Sequence, residues 1–141
     1  LSDSGLPGMK VLQFAFDPRE PSSYLPHTYD RRCVCYAGTH DNETLCQWEE
    51  CAPEESLAFA REYLGLGEEQ RLNWGILRAG MASVADTFIA PLQDYLELGA
   101  EGRMNEPGTS QGNWRWRLLS GELSEALIER IARMTRLYGR D

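Results

Sequence analysis

Tyr36-Ala37-Gly38-Thr39-His40-Asp41-Asn42 follows a short apolar run, Cys33-Val34-Cys35-Tyr36, and Gly38 ends that run just before three polar side chains in a row. Parallel α/β proteins build their sites this way, outside the carboxyl ends of buried strands. The stretch therefore points to an α/β fold, with the rest of the chain supplying neighbouring strands and covering helices.

Working outward, Met9-Lys10-Val11-Leu12-Gln13-Phe14-Ala15-Phe16 is nearly continuous in apolar residues and predicts a strand buried on both faces, broken by Asp17-Pro18. Ahead of it, residues 1–8 read as a loop punctuated by Gly5, Pro7 and Gly8. Residues 19–32, with Pro21, Ser22, Ser23 and Pro26, read as an irregular connection. Downstream of the central stretch, residues 44–50 predict a short helix. A clearer helix has Pro53 at its first position, Glu54 and Glu55 in its first turn, Leu57, Ala60, Tyr63 and Leu64 as its apolar stripe, and Gly65 as its stop. Asn73 is the expected cap of the next helix, whose apolar face is Ile76, Leu77, Met81 and Val84. Thr87-Phe88-Ile89-Ala90 predicts a third strand ended by Pro91. One helical turn over 93–98 and a long polar loop over 99–113 follow, and loops of that length in a compact domain are usually functional. Ser124 caps the last helix, with Leu123 poised to staple Ile128, and with Leu127, Ile131 and either Met134 or Leu137 facing inward.

Strands alternating with helices imply a parallel sheet. No internal repeat or linker divides residues 1–141, so they read as part of one domain. Three strands with apolar residues on both faces need cover on each side and do not close a barrel, which marks the chain as part of something larger.

The 141 residues include 42% hydrophobic ones and carry a formal charge of −8, from 14 basic and 22 acidic residues. That composition is globular, and the acidity argues against a nucleic-acid partner, which requires a basic stripe. No apolar run approaches a membrane span, and no secretory leader is read, so the expected location is the cytoplasm with no membrane partner. Cys33, Cys35, Cys46 and Cys51 are then expected as reduced thiols. Their spacings do not form two good zinc knuckles, so neither metal nor cofactor is expected.

His40, Asp41 and Asn42 at a strand end form the functional candidate, against the bland reading of a hydrogen-bonded strand terminus. Arg103-Met104-Asn105-Glu106-Pro107-Gly108 by itself reads as a polar structural loop. Gly112-Asn113-Trp114-Arg115-Trp116-Arg117 pairs aromatics with arginines; tryptophan faces stack on sugars or bases, although tryptophan in a core is commoner.

Several stretches taken together resemble one family. They are Leu6-Pro7-Gly8-Met9-Lys10-Val11-Leu12-Gln13-Phe14-Ala15-Phe16, Tyr24-Leu25-Pro26-His27, Gly38-Thr39-His40-Asp41-Asn42, Pro91-Leu92-Gln93-Asp94, Arg103-Met104-Asn105 and the Gly112–Arg117 run. In this order they look like the C-terminal part of the 4-α-glucanotransferases, or amylomaltases, of glycoside hydrolase family 77. The resemblance runs from about Gly5 to Gly139. It implies the C-terminal portion of a (β/α)8 TIM barrel, about three β/α units and incomplete on its own. It also implies a retaining double displacement that transfers 1,4-α-glucan segments to the 4-hydroxyl of an acceptor sugar, in maltodextrin, glycogen or starch metabolism.

By the same resemblance the aspartate nucleophile and glutamate acid/base lie upstream of Leu1, and the fragment alone is expected to be inactive. Asp41 matches the family's third carboxylate, which binds hydroxyls of the glucose at the cleavage site and favours its oxocarbenium-like state. His40 is expected on the same sugar, Asn105 and Phe14 match positions lining the donor site, and Asn42 is grouped with them as substrate-binding. The partners implied are maltooligosaccharides and α-1,4-glucans. Departures from the family pattern include Pro18, Thr28, Glu43, Cys33 and Cys35, and none removes Asp41, His40 or Asn105. Two alternatives stand beside this reading: a retaining α-glucan hydrolase of the α-amylase clan, and a non-catalytic glucan-binding module.

Overall fold

The computed structural model describes residues 4–141, so the first three residues of the expected N-terminal loop lie outside the described residues. Three strands, β1 (Gly8–Val11), β2 (Cys33–Tyr36) and β3 (Thr87–Ile89), form one parallel sheet in the order β1-β2-β3. Between β2 and β3 the chain crosses over through α1 (Leu45–Cys51), α2 (Glu54–Leu64) and α3 (Leu72–Ala82). After β3 come α4 (Leu92–Tyr95), a long loop and α5 (Glu125–Leu137). The fold is α/β, as the alternation of elements predicts.

Register fixes what each face of the sheet does. Lys10 pairs with Cys35 and Cys35 with Phe88, while Met9 pairs with Val34 and Val34 with Thr87. Side chains alternate along a strand, so the first set lines one face and the second set the other, followed there by Val11, Tyr36 and Ile89. The first face carries the helices. Cys33 and Cys35 are buried on it, and the Phe88 ring lies against Gly80 of α3, where any Cβ would collide with the ring. Gly80 thus lets the helix approach the sheet closely enough to share a core with Leu12, Phe16, Ile76, Leu77 and Met81.

The second face is largely open. Met9 is 52% exposed and Ile89 is 45% exposed, contrary to the expectation of burial on both faces. Val11 is the buried residue of that face, and β1 and β3 are the two edges of the sheet among the described residues.

Several elements differ from their sequence reading by a physical cause. β1 ends at Val11, not at residue 16, because the chain leaves the sheet in a 3-10 turn over Leu12–Phe14. Gln13 N still donates to Ala37 O at 3.2 Å, so the turn stays anchored to the end of β2 while Leu12 and Phe16 drop into the core. Asn73 is not a cap. It sits inside α3, fully buried, and its Nδ2 donates to Asp94 O at 2.9 Å, a long-range bond that a local capping pattern does not reveal. α3 stops at Ala82, which leaves Val84 exposed beyond its end. Pro53 is the cap of α2 and not its first residue, and α4 begins at Leu92.

Other expectations hold. Gly65 ends α2 in the left-handed region and Ser124 Oγ accepts from Leu127 N at the start of α5, whereas Thr44, expected inside the first helix, lies just outside α1 as its cap, its Oγ1 accepting from Gln47 N. On α5, Met134 faces the core and Leu137 faces solvent, while Leu123 and Ile128 are both exposed, so the staple is not a buried contact.

Candidate active site

β2 ends at Tyr36, and Ala37 N still donates to Ile89 O before the chain turns away. Gly38 gives room at that turn for the Gln13 side chain, whose Oε1 would lie 2.7 Å from a Cβ there and would have to shift. The next residues close a tight turn. Asn42 Oδ1 accepts from Thr39 N at 2.7 Å and from Thr39 Oγ1 at 2.9 Å, and Asn42 N donates back to Thr39 O. Asp41 N donates to Thr39 Oγ1, so the turn that carries the carboxylate is bonded from both ends.

The second half of the site comes from more than sixty residues downstream. Asn105 Nδ2 donates to Asp41 Oδ1 at 2.7 Å, and Asn105 N donates to His40 O at 3.1 Å. His40 Nε2 lies 3.2 Å from the same Asp41 Oδ1. Asp41 Oδ2 has no partner among the described residues, and the Asp41 side chain is about half exposed (49%). One carboxylate oxygen is therefore oriented by the protein, and the other is unbonded among the described residues. Asp41 and His40 are held together with Asn105, with Asn42 as the brace of their turn. Phe14 stands apart: it is exposed on the 3-10 turn after β1, at the same end of the sheet, with its ring 6.4 Å from that of Tyr24.

Three further residues build the site and carry no site role in the sequence reading. Arg103 is the clamp: its Nη2 donates to Asp41 O at 2.8 Å and its Nε to Asn105 O at 3.0 Å, which ties the two loops together. Gln93 Nε2 donates to Gly102 O, and Asp94 Oδ1 accepts from Leu45 N at 2.8 Å, so α4 holds both the 102 loop and the start of α1. Behind the His40–Asn42 turn lies a cavity of about 190 Å3 that Asp94 helps to line. Burial pushes the Asp94 carboxyl up to about 6, against the partial pull of the Leu45 N–H. The sign in the sequence was a pair of polar residues, Gln93 and Asp94, two positions after the strand-ending Pro91.

The cysteines do not compete for the chemistry. Burial pushes the Cys35 thiol up to about 11 and raises Cys33 and Cys46 as well, so these three stay protonated and unreactive at neutral pH.

A parallel sheet that delivers an oriented, half-exposed carboxylate with an imidazole and an amide at its strand ends defines an α/β site suited to hydroxyl-rich ligands. The chain belongs to the 4-alpha-glucanotransferase family, glycoside hydrolase family 77, whose description matches residues 1–123. It is 46% identical over 138 residues to the 4-alpha-glucanotransferase of Clostridium butyricum, covering 97% of this chain and 28% of that protein. With the 4-alpha-glucanotransferase of Thermus thermophilus it shares 50% identity over 127 residues, 85% of this chain and 25% of that protein. Among solved structures it resembles the amylomaltase from Streptococcus agalactiae in complex with acarbose, with a TM-score of 0.93 and 36% identity over 99% of this chain and 28% of that one. The chain thus spans only between 25% and 28% of the length of these relatives. No helix among the described residues is long and apolar enough to cross a membrane.

Proposed function

We propose that residues 1–141 are the C-terminal portion of a (β/α)8 catalytic domain, and that the complete protein is a 4-α-glucanotransferase acting on maltooligosaccharides and α-1,4-glucans. The open, apolar second face of the sheet, with Met9, Val34, Tyr36 and Ile89, supports this reading: in a closed barrel it would be the interior. The Asp41 loop then lies at the C-terminal rim of the barrel, where such folds carry out their chemistry. Three buried thiols fit a reducing compartment, and we take the cytoplasm as the place of action.

The observation that carries the functional reading is the Asp41 carboxylate, which among the described residues has both of its contacts on Oδ1 and no partner on Oδ2. In the mechanism proposed, the nucleophile and acid/base are supplied from upstream. Asp41 accepts hydroxyl hydrogen bonds from the glucose being cleaved and stabilises the positive charge that develops on it. His40 and Asn105 hold the carboxylate in place and meet the same sugar at their free edges. Asn42, whose amide oxygen braces the turn, has its Nδ2 left for a hydroxyl, and Phe14 offers an exposed ring at the neighbouring strand end. Arg103 keeps the two loops in register.

The test is Asp41→Asn in the full-length enzyme. The substitution preserves size and removes the charge. An electrostatic contact realised in the transition state is worth on the order of 10²–10³ in kcat, and KM changes much less. Near-normal kcat in a folded Asp41→Asn enzyme would refute the assignment. Product analysis on maltotriose separates transfer, which gives longer and shorter oligomers, from hydrolysis, which gives only glucose and maltose.

A further inference from the structure

Trp114 is held more rigidly than an exposed tryptophan in a loop needs to be. Its backbone lies in the left-handed region with φ of 62°, a costly conformation for a bulky residue and one that surrounding bonds must impose. Those bonds are present. Trp114 N donates to Met104 O at 2.6 Å, one residue before Asn105, and Arg117 Nη1 donates to Trp114 O at 3.0 Å. The preceding Asn113 is fixed too, accepting from Glu106 N and donating to Thr109 Oγ1 and Thr109 O.

The side chain thus aimed is 50% exposed and contributes nothing to the buried core. Its ring lies 5.1 Å from that of His40, centroid to centroid, at 44°. The indole N–H of Trp74 donates to Glu97, whereas that of Trp114 has no partner among the described residues. A flat ring with an unbonded N–H, fixed in place beside the residue that contacts Asp41, has the properties of a sugar platform. The face of an aromatic ring carries negative charge density and attracts the C–H face of a pyranose, while the edge N–H can donate to a hydroxyl.

We propose that Trp114 is a binding platform for the glucose residue adjacent to the one held by Asp41 and His40. This inference rests on the glucan-transferase reading above. Trp114 takes no part in bond cleavage. It contributes ground-state affinity for the chain that extends away from the cleavage point, and the pinned backbone presents the ring without ordering cost when the glucan arrives.

The bland competitor is that Trp114 only supports the His40 ring, and kinetics separate the two. In the full-length enzyme, Trp114→Leu retains an apolar group against His40 and removes the flat face. A platform predicts that KM for maltoheptaose and the Kd of acarbose both rise about tenfold, equivalent to about 1.4 kcal/mol, with a much smaller change in kcat. A fall in kcat with KM and acarbose affinity unchanged would overturn the platform and leave a positioning role.

Trp114→Phe supplies a second readout that does not depend on the leucine variant folding. It keeps a flat ring, so acarbose binding by calorimetry is expected to be largely retained, while the tryptophan fluorescence change expected on acarbose binding to the native enzyme should be lost or reduced. The same fluorescence change in both proteins would refute the proposal. Failure of the transferase reading looks different: the native enzyme itself would then bind no acarbose, and both proposals would fall together.

Discussion

Replacing Asp94 by asparagine should raise stability at neutral pH and lose that advantage in acid. Asp94 is 2% exposed, and among the described residues its carboxylate has one donor, Leu45 N at 2.8 Å. Burial lifts its carboxyl from the ordinary 3.8 to about 6. Between those values the folded protein holds a proton that the unfolded chain releases, so stability must fall as pH rises through the window. The contribution is fully present below pH 3.8 and lost above about 6. At about 1.36 kcal/mol per pH unit the window corresponds to about 3 kcal/mol.

Asparagine keeps an oxygen for Leu45 N and removes the charge, but it introduces an amide NH2 whose burial without a partner costs about 1–3 kcal/mol. The difference between the two proteins should therefore change with pH by about 3 kcal/mol, in favour of asparagine at pH 7.5 and against it at pH 4. Denaturant unfolding of the full-length native and Asp94→Asn enzymes at both pH values measures this directly. A difference that does not depend on pH, or an asparagine variant at its relative worst at pH 7.5, would refute the argument.

Further expectations concern the clamp, the end of α3 and the isolated chain. Arg103→Ala removes the guanidinium bonds to Asp41 O and Asn105 O and leaves the direct Asn105–Asp41 contact without its clamp, and a loosened site should lower kcat by about tenfold to a hundredfold with little change in melting temperature. Arg103→Lys should rescue poorly, because an ammonium group cannot reproduce the guanidinium fork, and steady-state kinetics on both variants checks this. Arg140 donates to Met81 O, Ser83 O and Ala85 O, so Arg140→Ala should cost about 2 kcal/mol in denaturant unfolding and leave turnover per folded molecule unchanged. Purified residues 1–141 should not disproportionate maltotriose, and with both sheet edges unpaired they should not show a cooperative thermal transition as a monomer.

The order of elements and the strand carrying Asp41 were legible because their signals are local. A run of apolar residues stopped by a glycine, an acid-rich first turn and a serine cap each act within a few residues of themselves. Readings failed where a distant partner decides the outcome. Asn73 looks like a cap until the Asp94 carbonyl draws it inward. The end of β1 cannot be seen in its apolar run, because Leu12 and Phe16 are as suited to a helix-covered core as to a strand. Burial on both faces of the sheet, expected from residue type, is not what the described residues show: Met9 and Ile89 stand exposed, because apolar residue type does not say what packs against it.

The site divides along the same line. His40, Asp41 and Asn42 announce themselves at a strand end, while Asn105 was reached only through family resemblance and Arg103 not as a site residue at all. The reason is geometric. A strand end fixes where a carboxylate sits but not which way its oxygens face, and orientation requires donors from a second segment. Here those donors come from a loop with no periodicity to betray it, held at one end by Gln93 and at the other by the bonds of Asn113 and Trp114.

α4 is the element that joins these parts. One of its residues grips the 102 loop and the next grips the first turn of α1, so the two loops that meet at Asp41 share a single support. A buried charge in that support lowers stability at neutral pH, which a structure selected for stability alone would not retain. What the carboxylate adds over an amide is strength of the bond to Leu45 N, since an ionised acceptor binds an N–H about twice as strongly as a neutral one. Leu45 begins α1 directly after the turn bearing Asp41, so that bond fixes the turn from behind. Asp94→Asn should accordingly gain stability and lose rate together at neutral pH, with KM little affected. A variant that gained stability with kcat untouched would show that the buried charge has no part in holding the Asp41 turn.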